Sequence, residues 1–142
     1  MGRRRSQARR CVVQALYQGM VGGDEVTEAD FGFLGADDER RVDQAYFREL
    51  LEEIRRHGEE LDELIAPYVD RPLADVDPVE RAILRLGACE LAYHVEVPFR
   101  VVINEAVELA KVFGAEHGHR FVNGVLDKLA SRLRATEARA AR

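Results

Sequence analysis

The chain has 142 residues, of which 46% are apolar, and its 21 basic and 26 acidic side chains give a formal net charge of −5. This length suits one domain with a core of its own, and it leaves no room for a second, catalytic domain. No apolar run approaches the roughly 18 residues that cross a bilayer, and the acidic balance excludes a general polyanion binder, so we expect a soluble, cytoplasmic protein without membrane attachment.

The N-terminal segment GRRRSQARRCVVQALYQGM concentrates positive charge on this acidic chain. Five arginines precede the first acidic residue, namely Arg3, Arg4, Arg5, Arg9 and Arg10. Apolar residues recur at helical spacing, and a second stripe carries Arg3, Gln7, Arg10, Gln14 and Tyr17. Guanidinium, amide and phenol groups bind phosphates and unstacked bases. The segment therefore predicts an arginine-rich RNA-binding helix.

Three other interpretations of this segment are weaker. A secretory signal also begins with basic residues, but Gln14 and Gln18 interrupt the apolar stretch and no cleavage pattern follows. A membrane-surface helix would carry Trp or several Phe residues, which this segment lacks. A frayed terminus would not need the apolar spacing.

Helical patterns continue along the chain. Residues 21–40 predict a loop with a short helical piece, in which Phe31, Phe33 and Leu34 could fill the core. An apolar stripe from Tyr46 to Ile54 predicts a surface helix that ends at Gly58. A short helix follows and closes before Pro72.

The next helix has the clearest start signal. Asp77 can cap it, Pro78 takes the first helical position, and Glu80 stands where a capping box places its carboxylate. Its wide apolar arc predicts the most buried helix of the fold. A further stripe begins beyond Pro98 and ends at Gly114, which suits a left-handed cap.

The last apolar stripe runs from Val122 to Leu133 and contains Asn123-Gly124, which is normally a turn signal. Because the helical spacing continues through this pair, we expect a helix there. A close helix crossing would explain Gly124, and an amide bond across that crossing would explain Asn123. No alternating strand pattern appears, so the predicted fold is all-α.

Signatures of catalysis and of cofactor binding are missing from the sequence. It contains no P-loop, dinucleotide fingerprint, Cys-x-x-Cys or His-Glu-x-x-His, so we expect neither an enzyme nor a cofactor. We interpret His117 and His119 as loop residues rather than metal ligands. Cys11 and Cys89 lack metal-ligand spacing and are expected to be buried thiols, with a disulfide between them as the alternative.

Five segments in register resemble the NusB family of bacterial transcription antitermination factors. They are ARRCVVQALYQ, YFRELL, VERAILRLGACEL, VVINEAVELAKVFGAE and RFVNGVLDKLA. The resemblance implies six to seven helices in two small packed bundles, here about residues 1–70 and 71–142. It also implies binding of boxA RNA from ribosomal RNA operon leaders, a partnership with NusE, and recruitment to RNA polymerase.

The resemblance also implies which residues contact RNA. The positions that match the family's pattern are Arg4, Arg5, Arg9, Arg10, Gln14, Tyr17, Glu80, Phe113 and Phe121, and Arg3 and His117 adjoin them. At His117 the family commonly has an acidic residue, so the polarity of this loop differs here. Because charges on an exposed helix face contribute little to stability, we expect Arg9 and Arg10 to be replaceable without unfolding the protein.

Two other function classes stay open at this point. One is a helical protein–protein adaptor whose basic helix meets an acidic partner. The other is an accessory RNA-binding domain of an RNA-modifying enzyme, since NusB-like domains occur fused to methyltransferases. Family members occur as monomers and as homodimers, so the resemblance leaves the oligomeric state open.

Overall fold

The computed structural model describes residues 2–22 and 41–140, and these form seven α-helices with no strand among them. The helices are α1 (Gly2–Gly22), α2 (Gln44–Arg56), α3 (Gly58–Ile65), α4 (Pro78–Tyr93), α5 (Phe99–Phe113), α6 (Gly118–Leu133) and α7 (Ala135–Ala140). Two 3₁₀ turns, Ala66–Tyr68 and Leu73–Asp75, connect α3 to α4, which is where we predict the boundary between the two bundles. The predicted all-α class is confirmed. The predicted core residues Phe31, Phe33 and Leu34 lie outside the described residues.

Helix α4 is the centre of the fold, as its apolar arc predicts. It packs against α1, α2, α3, α5 and α6. The helix also begins where the sequence predicts, because the Asp77 carboxylate accepts hydrogen bonds from the backbone N–H groups of Val79 and Glu80. An unmatched donor at a helix N-terminus costs stability, so this cap fixes where α4 begins.

The end of α4 is fixed by a side chain from the other end of the chain. Arg134, which is buried, donates hydrogen bonds to the carbonyl oxygens of Glu90, Leu91, His94 and Val97. Carbonyls at a helix C-terminus lack the full set of intrahelical donors, and a guanidinium satisfies several of them at once. The Glu90 carbonyl also accepts from the His94 N–H, so it has two donors. The contact anchors the turn between α4 and α5.

Two glycines let helices approach one another closely. A Cβ at Gly87 of α4 would lie 2.7 Å from Leu126 Cδ1 of α6. A Cβ at Gly118, the first residue of α6, would collide with the Glu80 carboxyl oxygen. Helices α4 and α6 therefore approach closely at two points, and the contact at Gly118 brings Glu80 beside the α5–α6 turn.

The structure corrects our explanation of Asn123-Gly124. Both residues lie within α6, as the spacing predicts, but a Cβ added at Gly124 would have no atom of another element within 4 Å, and Asn123 is exposed. The predicted close crossing at Gly124 and the predicted amide bond of Asn123 are therefore wrong. The close crossing is instead at Gly87, and the apolar spacing of α4 does not predict it.

The predicted left-handed cap at Gly114 is also wrong. Gly114 has φ −83° and ψ 172°, which is extended backbone, and the left-handed residue is His117 with φ 71°. Glycine suits position 114 for a different reason, because a Cβ there would lie 2.6 Å from the carbonyl oxygen of Ala110. The turn reverses direction at His117, directly before α6, and this conformation exposes the imidazole at the tip.

No helix among residues 2–22 and 41–140 combines the length and the apolar character that a membrane span requires. Cys11 and Cys89 are buried thiols that form no disulfide bond with each other. The burial of both thiols agrees with what the sequence predicts for them.

Candidate nucleic-acid interface

Helix α1 carries arginines at its N-terminus, where helices usually carry acidic residues. Its first turn contains no acidic residue and begins with Arg3, Arg4 and Arg5. The helix macrodipole is positive at this end, so cations there reduce helix stability. The same arrangement adds the positive helix end to the positive side chains, which produces a strong attraction for a phosphate chain.

Arg9 is not part of the exposed surface, which corrects our prediction that it contacts RNA. Its side chain is 3% exposed, and its Nε donates to the Glu90 carboxylate oxygens at 2.9 and 3.0 Å. The guanidinium also lies 3.3 Å from Glu105, and the hydroxyl of Tyr46 donates to Glu90. Position 9 falls on the inner face of α1 because it precedes the buried Val12 and Val13 by one helical turn.

The buried contacts of Arg9 hold its charge in place. Burial by itself lowers the pKa of the Arg9 guanidinium, but the hydrogen bonds and negative charge of Glu90 outweigh burial and raise the pKa overall. Burial, and then the charge of Glu90, raise the pKa of Tyr46. The group therefore consists of a cation, an anion and a neutral phenol, and it fixes α1 on α2 and α4. Arg9 is a docking residue of the arginine helix.

Arg4 and Arg5 are partly committed to the start of α2. The Arg4 guanidinium donates to the carbonyl oxygen of Val42 at 3.4 Å. Arg5 lies over the ring of Tyr46, 4.2 Å from its centroid, and its Nε is 3.9 Å from the Asp43 carboxylate. Both guanidinium groups stay near the surface, since Arg4 is exposed and the Arg5 side chain is 41% exposed. Both guanidinium groups therefore lie where a phosphate can approach the start of α1.

Arg10 joins the arginine helix to the aromatic residues predicted near the α5–α6 turn. It is exposed, and its guanidinium lies 5.1 Å from the ring centroid of Phe113 at the end of α5. An arginine over a ring is a stacking platform that accepts a base or a phosphate at its outer face. Arg3 is exposed two helical turns earlier, on the same stripe of α1.

A groove of about 530 Å³ adjoins Arg10. It lies between α1, the start of α4 and the end of α5, and its lining residues are Val13, Gln14, Tyr17, Gln18, Val79 and Phe113. Valine and phenylalanine side chains supply apolar walls, and the amides and the phenol supply hydrogen-bonding groups. This volume is within the range of about 300 to 1,000 Å³ that small-molecule sites occupy. The structure thus brings Gln14, Tyr17 and Phe113 together.

The surface continues from the groove to the other predicted residues. Glu80 follows Val79 directly and lies against Gly118, so it adjoins the exposed His117. Burial, and then the nearby charge of Asp77, raise the pKa of the Glu80 carboxyl. Glu80 is itself only 8% exposed, so it forms the wall of this surface beside the exposed His117.

Phe121 lies one turn into α6 and is half-buried. The guanidinium of Arg71 covers its ring at 5.1 Å from the centroid, and Arg71 also pairs with Asp70 at 2.8 Å. Sequence reasoning missed Arg71 because it lies between two turns, outside any helical stripe. Its basic charge beside the aromatic Phe121 repeats the pairing of Arg10 with Phe113, and this repetition is visible only in three dimensions.

Known proteins share both the sequence pattern and the helical arrangement of this chain. The model of the NusB family matches residues 6–131. A transcription antitermination protein NusB of Nitrosococcus oceani is 55% identical over 139 residues, which cover 98% of this chain and 93% of that protein. The NusB protein of Shewanella pealeana is 52% identical over 128 residues, covering 90% of this chain and 95% of that protein.

Solved structures show the same fold. NusB of T. maritima has a TM-score of 0.79 at 32% identity, over 89% of each chain. A chain from the crystal structure of the antitermination factors NusB and NusE in complex with dsRNA also has a TM-score of 0.79, at 28% identity, over 93% of this chain and 99% of that chain. A family match across most of the sequence and relatives of this identity lead to one conclusion: the chain belongs to the NusB family.

Proposed function

We propose that this protein is an RNA-binding transcription antitermination factor without enzymatic activity of its own. In this proposal it binds boxA-like RNA of ribosomal RNA operon leaders together with NusE, in the cytoplasm, and the pair helps to load an antitermination complex on RNA polymerase. Related NusB proteins carry the name of antitermination proteins, and a structural neighbour was crystallised with NusE and dsRNA.

One observation carries the proposal, which is the continuity of the surface around Phe113. On one side lie Arg10 and the groove of α1, and on the other lie Glu80 and the α5–α6 turn. A basic helix alone would bind any polyanion. Basic side chains next to an apolar groove and hydrogen-bonding groups match the two needs of single-stranded RNA, whose phosphates and splayed bases both require contacts.

The two parts of this surface have different tasks. Arg3, Arg4, Arg5 and Arg10 attract and position the phosphate chain, which is the same in every RNA. The groove with Tyr17 and Phe113, the carboxyl of Glu80, and the Phe121–His117 region contact bases. Sequence preference therefore depends on the second set of residues.

The test measures RNA affinity by fluorescence anisotropy across a range of salt concentrations. A boxA-like single strand and a scrambled strand of equal length are compared, with and without NusE. For the Arg3→Ala plus Arg10→Ala variant we expect weaker binding of both strands and a salt slope that falls by about 0.7 for each lost phosphate contact. Arg132→Ala is the matched control, because Arg132 is exposed in the last turn of α6, about 20 Å along the helix from Gly118.

An unchanged salt slope in the double variant would contradict the phosphate role of α1. Equal affinity of the wild-type protein for both strands would contradict base recognition, and failure to bind either strand would favour the protein–protein adaptor. Molecular mass in solution, measured with and without RNA, belongs to the same experiment, since a homodimer that covers α1 would dissociate when RNA binds.

A further inference from the structure

Three side chains of different chemistry meet at the end of α4 that lies away from Asp77. Glu53 comes from α2, Cys89 from α4, and His94 is the residue that ends α4. Their ligand atoms all lie within 4.8 Å of one another. His94 Nε2 is 2.9 and 3.1 Å from the two carboxylate oxygens of Glu53, and Cys89 Sγ is 3.9 Å from Glu53 Oε2.

We propose that Glu53, Cys89 and His94 bind a divalent transition-metal ion, of which Zn²⁺ is the best match. Thiolate, imidazole and carboxylate are the donors that Zn²⁺ takes in proteins, and a thiolate disfavours Mg²⁺ and Ca²⁺. Around a tetrahedral Zn²⁺ these donors are about 3.3 to 3.8 Å apart, since the metal–ligand bonds are about 2.0 to 2.3 Å. The observed separations need only small side-chain rotations to close on an ion.

The surroundings of His94 are those of a metal ligand. Its second ring nitrogen, Nδ1, lies 3.2 Å from a carboxylate oxygen of Glu96. A ligating imidazole commonly donates its other N–H to such a carboxylate, which fixes the tautomer and orients the ring. The backbone of His94 is also held, because its carbonyl accepts from Arg134 and its N–H donates to the carbonyl of Glu90. The imidazole is therefore in position before an ion arrives.

Access and coordination number favour an open site. Cys89 is fully buried and the His94 side chain is 4% exposed, whereas the Glu53 side chain is 20% exposed. An ion can thus enter along Glu53, and the fourth position is open to water from the same side. On binding, the thiol of Cys89 releases its proton to solvent, the proton shared between His94 Nε2 and Glu53 is also released, and the ion takes the place of that hydrogen bond.

The site lies away from Glu80 and the groove, but it adjoins the Arg5 region, because the His94 and Tyr46 ring centroids are 5.4 Å apart and Arg5 lies over the Tyr46 ring. Helix α4 has 16 residues and is about 24 Å long, and Glu80 and Cys89 lie in its first and its penultimate turns. A bound ion would cross-link the end of α2 to the end of α4. We infer that it stabilises the fold and leaves the groove and the proposed base-contacting residues unchanged.

The test uses the full-length protein after chelator treatment. Titration with Co²⁺ should give one ion per chain, with an absorption band from thiolate-to-cobalt charge transfer and the visible bands of a tetrahedral site, and Zn²⁺ should displace it. Zn²⁺ should also raise the melting temperature above that of the chelated protein. Absence of the thiolate band, or no rise in melting temperature, would overturn the proposal.

Variants locate the ion. Cys89→Ser should abolish the charge-transfer band, and Glu53→Gln should weaken Co²⁺ binding at least tenfold. Glu53→Gln also covers the case in which Cys89→Ser does not fold, because Glu53 is partly exposed. The matched controls are Cys11→Ser, which changes the other buried thiol, and His117→Asn, which removes an exposed imidazole. A wild-type spectrum in Cys89→Ser, or its loss in either control, would place the ion elsewhere and contradict the assignment.

Discussion

Replacement of Arg9 by alanine tests the main difference between the sequence-based prediction and the structure, which is that Arg9 is buried and not an RNA contact. The side chains of Arg9 and Glu90 are 3% and 1% exposed, and they form a buried ion pair with two Nε–oxygen distances near 3 Å. Alanine at position 9 would remove the guanidinium that donates to the buried Glu90 carboxylate. Of the two side chains, Arg9 and Tyr46, that donate to Glu90, only the Tyr46 hydroxyl would remain. Removal of one partner of a buried pair costs about 3 to 5 kcal/mol, because the other charge loses its compensation.

The neighbouring Arg10 supplies the matched comparison. It is exposed, so Arg10→Ala should change the free energy of unfolding by no more than about 0.5 kcal/mol. Arg9→Ala should instead lower the melting temperature by roughly 10 to 20 °C for a chain of this size. Arg9→Ala combined with Glu90→Gln should recover part of the loss, because the second change removes the uncompensated charge.

The measurement is urea denaturation followed by circular dichroism, with RNA affinity recorded on the folded fraction of each variant. Arg10→Ala should weaken RNA binding without loss of stability, and Arg9→Ala should lose stability first. If Arg9→Ala unfolds at the same urea concentration as Arg10→Ala and loses RNA affinity to the same extent, Arg9 acts as a surface contact and the docking role is refuted.

Three further predictions concern single positions. Phe121→Ala should weaken the binding of boxA-like RNA by about 1 to 3 kcal/mol per unstacked base and leave the binding of a scrambled strand unchanged. An equal loss of affinity for both strands, together with a large fall in melting temperature, would assign Phe121 to the core. The pKa of Glu80 is raised in the folded state, so its carboxyl stabilises the fold below the unfolded pKa, and this contribution is lost as the pH rises through the folded value. Glu80→Gln should therefore be more stable than wild type at neutral pH and lose that advantage in acid, which urea denaturation at both pH values measures; a pH-independent difference would contradict the shift. Gly124→Ala should stabilise α6 by about 0.5 to 1 kcal/mol, because a Cβ there meets no atom of another element. Gly87→Ala should destabilise the protein by about 1 to 3 kcal/mol, because its Cβ would contact Leu126. Similar melting temperatures for the two variants would refute the assignment of the close crossing to Gly87.

The helices themselves could be predicted because their causes are local. Asp77 and Pro78 begin α4 through hydrogen bonds and a fixed φ within one turn, and the apolar spacing marks which face of each helix is buried. The same spacing correctly overrode the turn signal at Asn123-Gly124, since packing of an apolar stripe outweighs the propensity of two residues.

The roles of individual polar residues depended on contacts between distant parts of the chain. Arg9 and Glu90 are 81 residues apart, so nothing near Arg9 in sequence distinguishes this buried cation from the exposed Arg10, except its place in the helical stripe. Glu53 and His94 are 41 residues apart, and their meeting with Cys89 follows from the packing of α2 on α4. The sequence by itself determined where helices begin, end and turn their apolar faces, because those effects act within a few residues. Only the tertiary structure decided which charges are buried, which glycines separate helices and which side chains meet in a site, because those depend on how the helices pack.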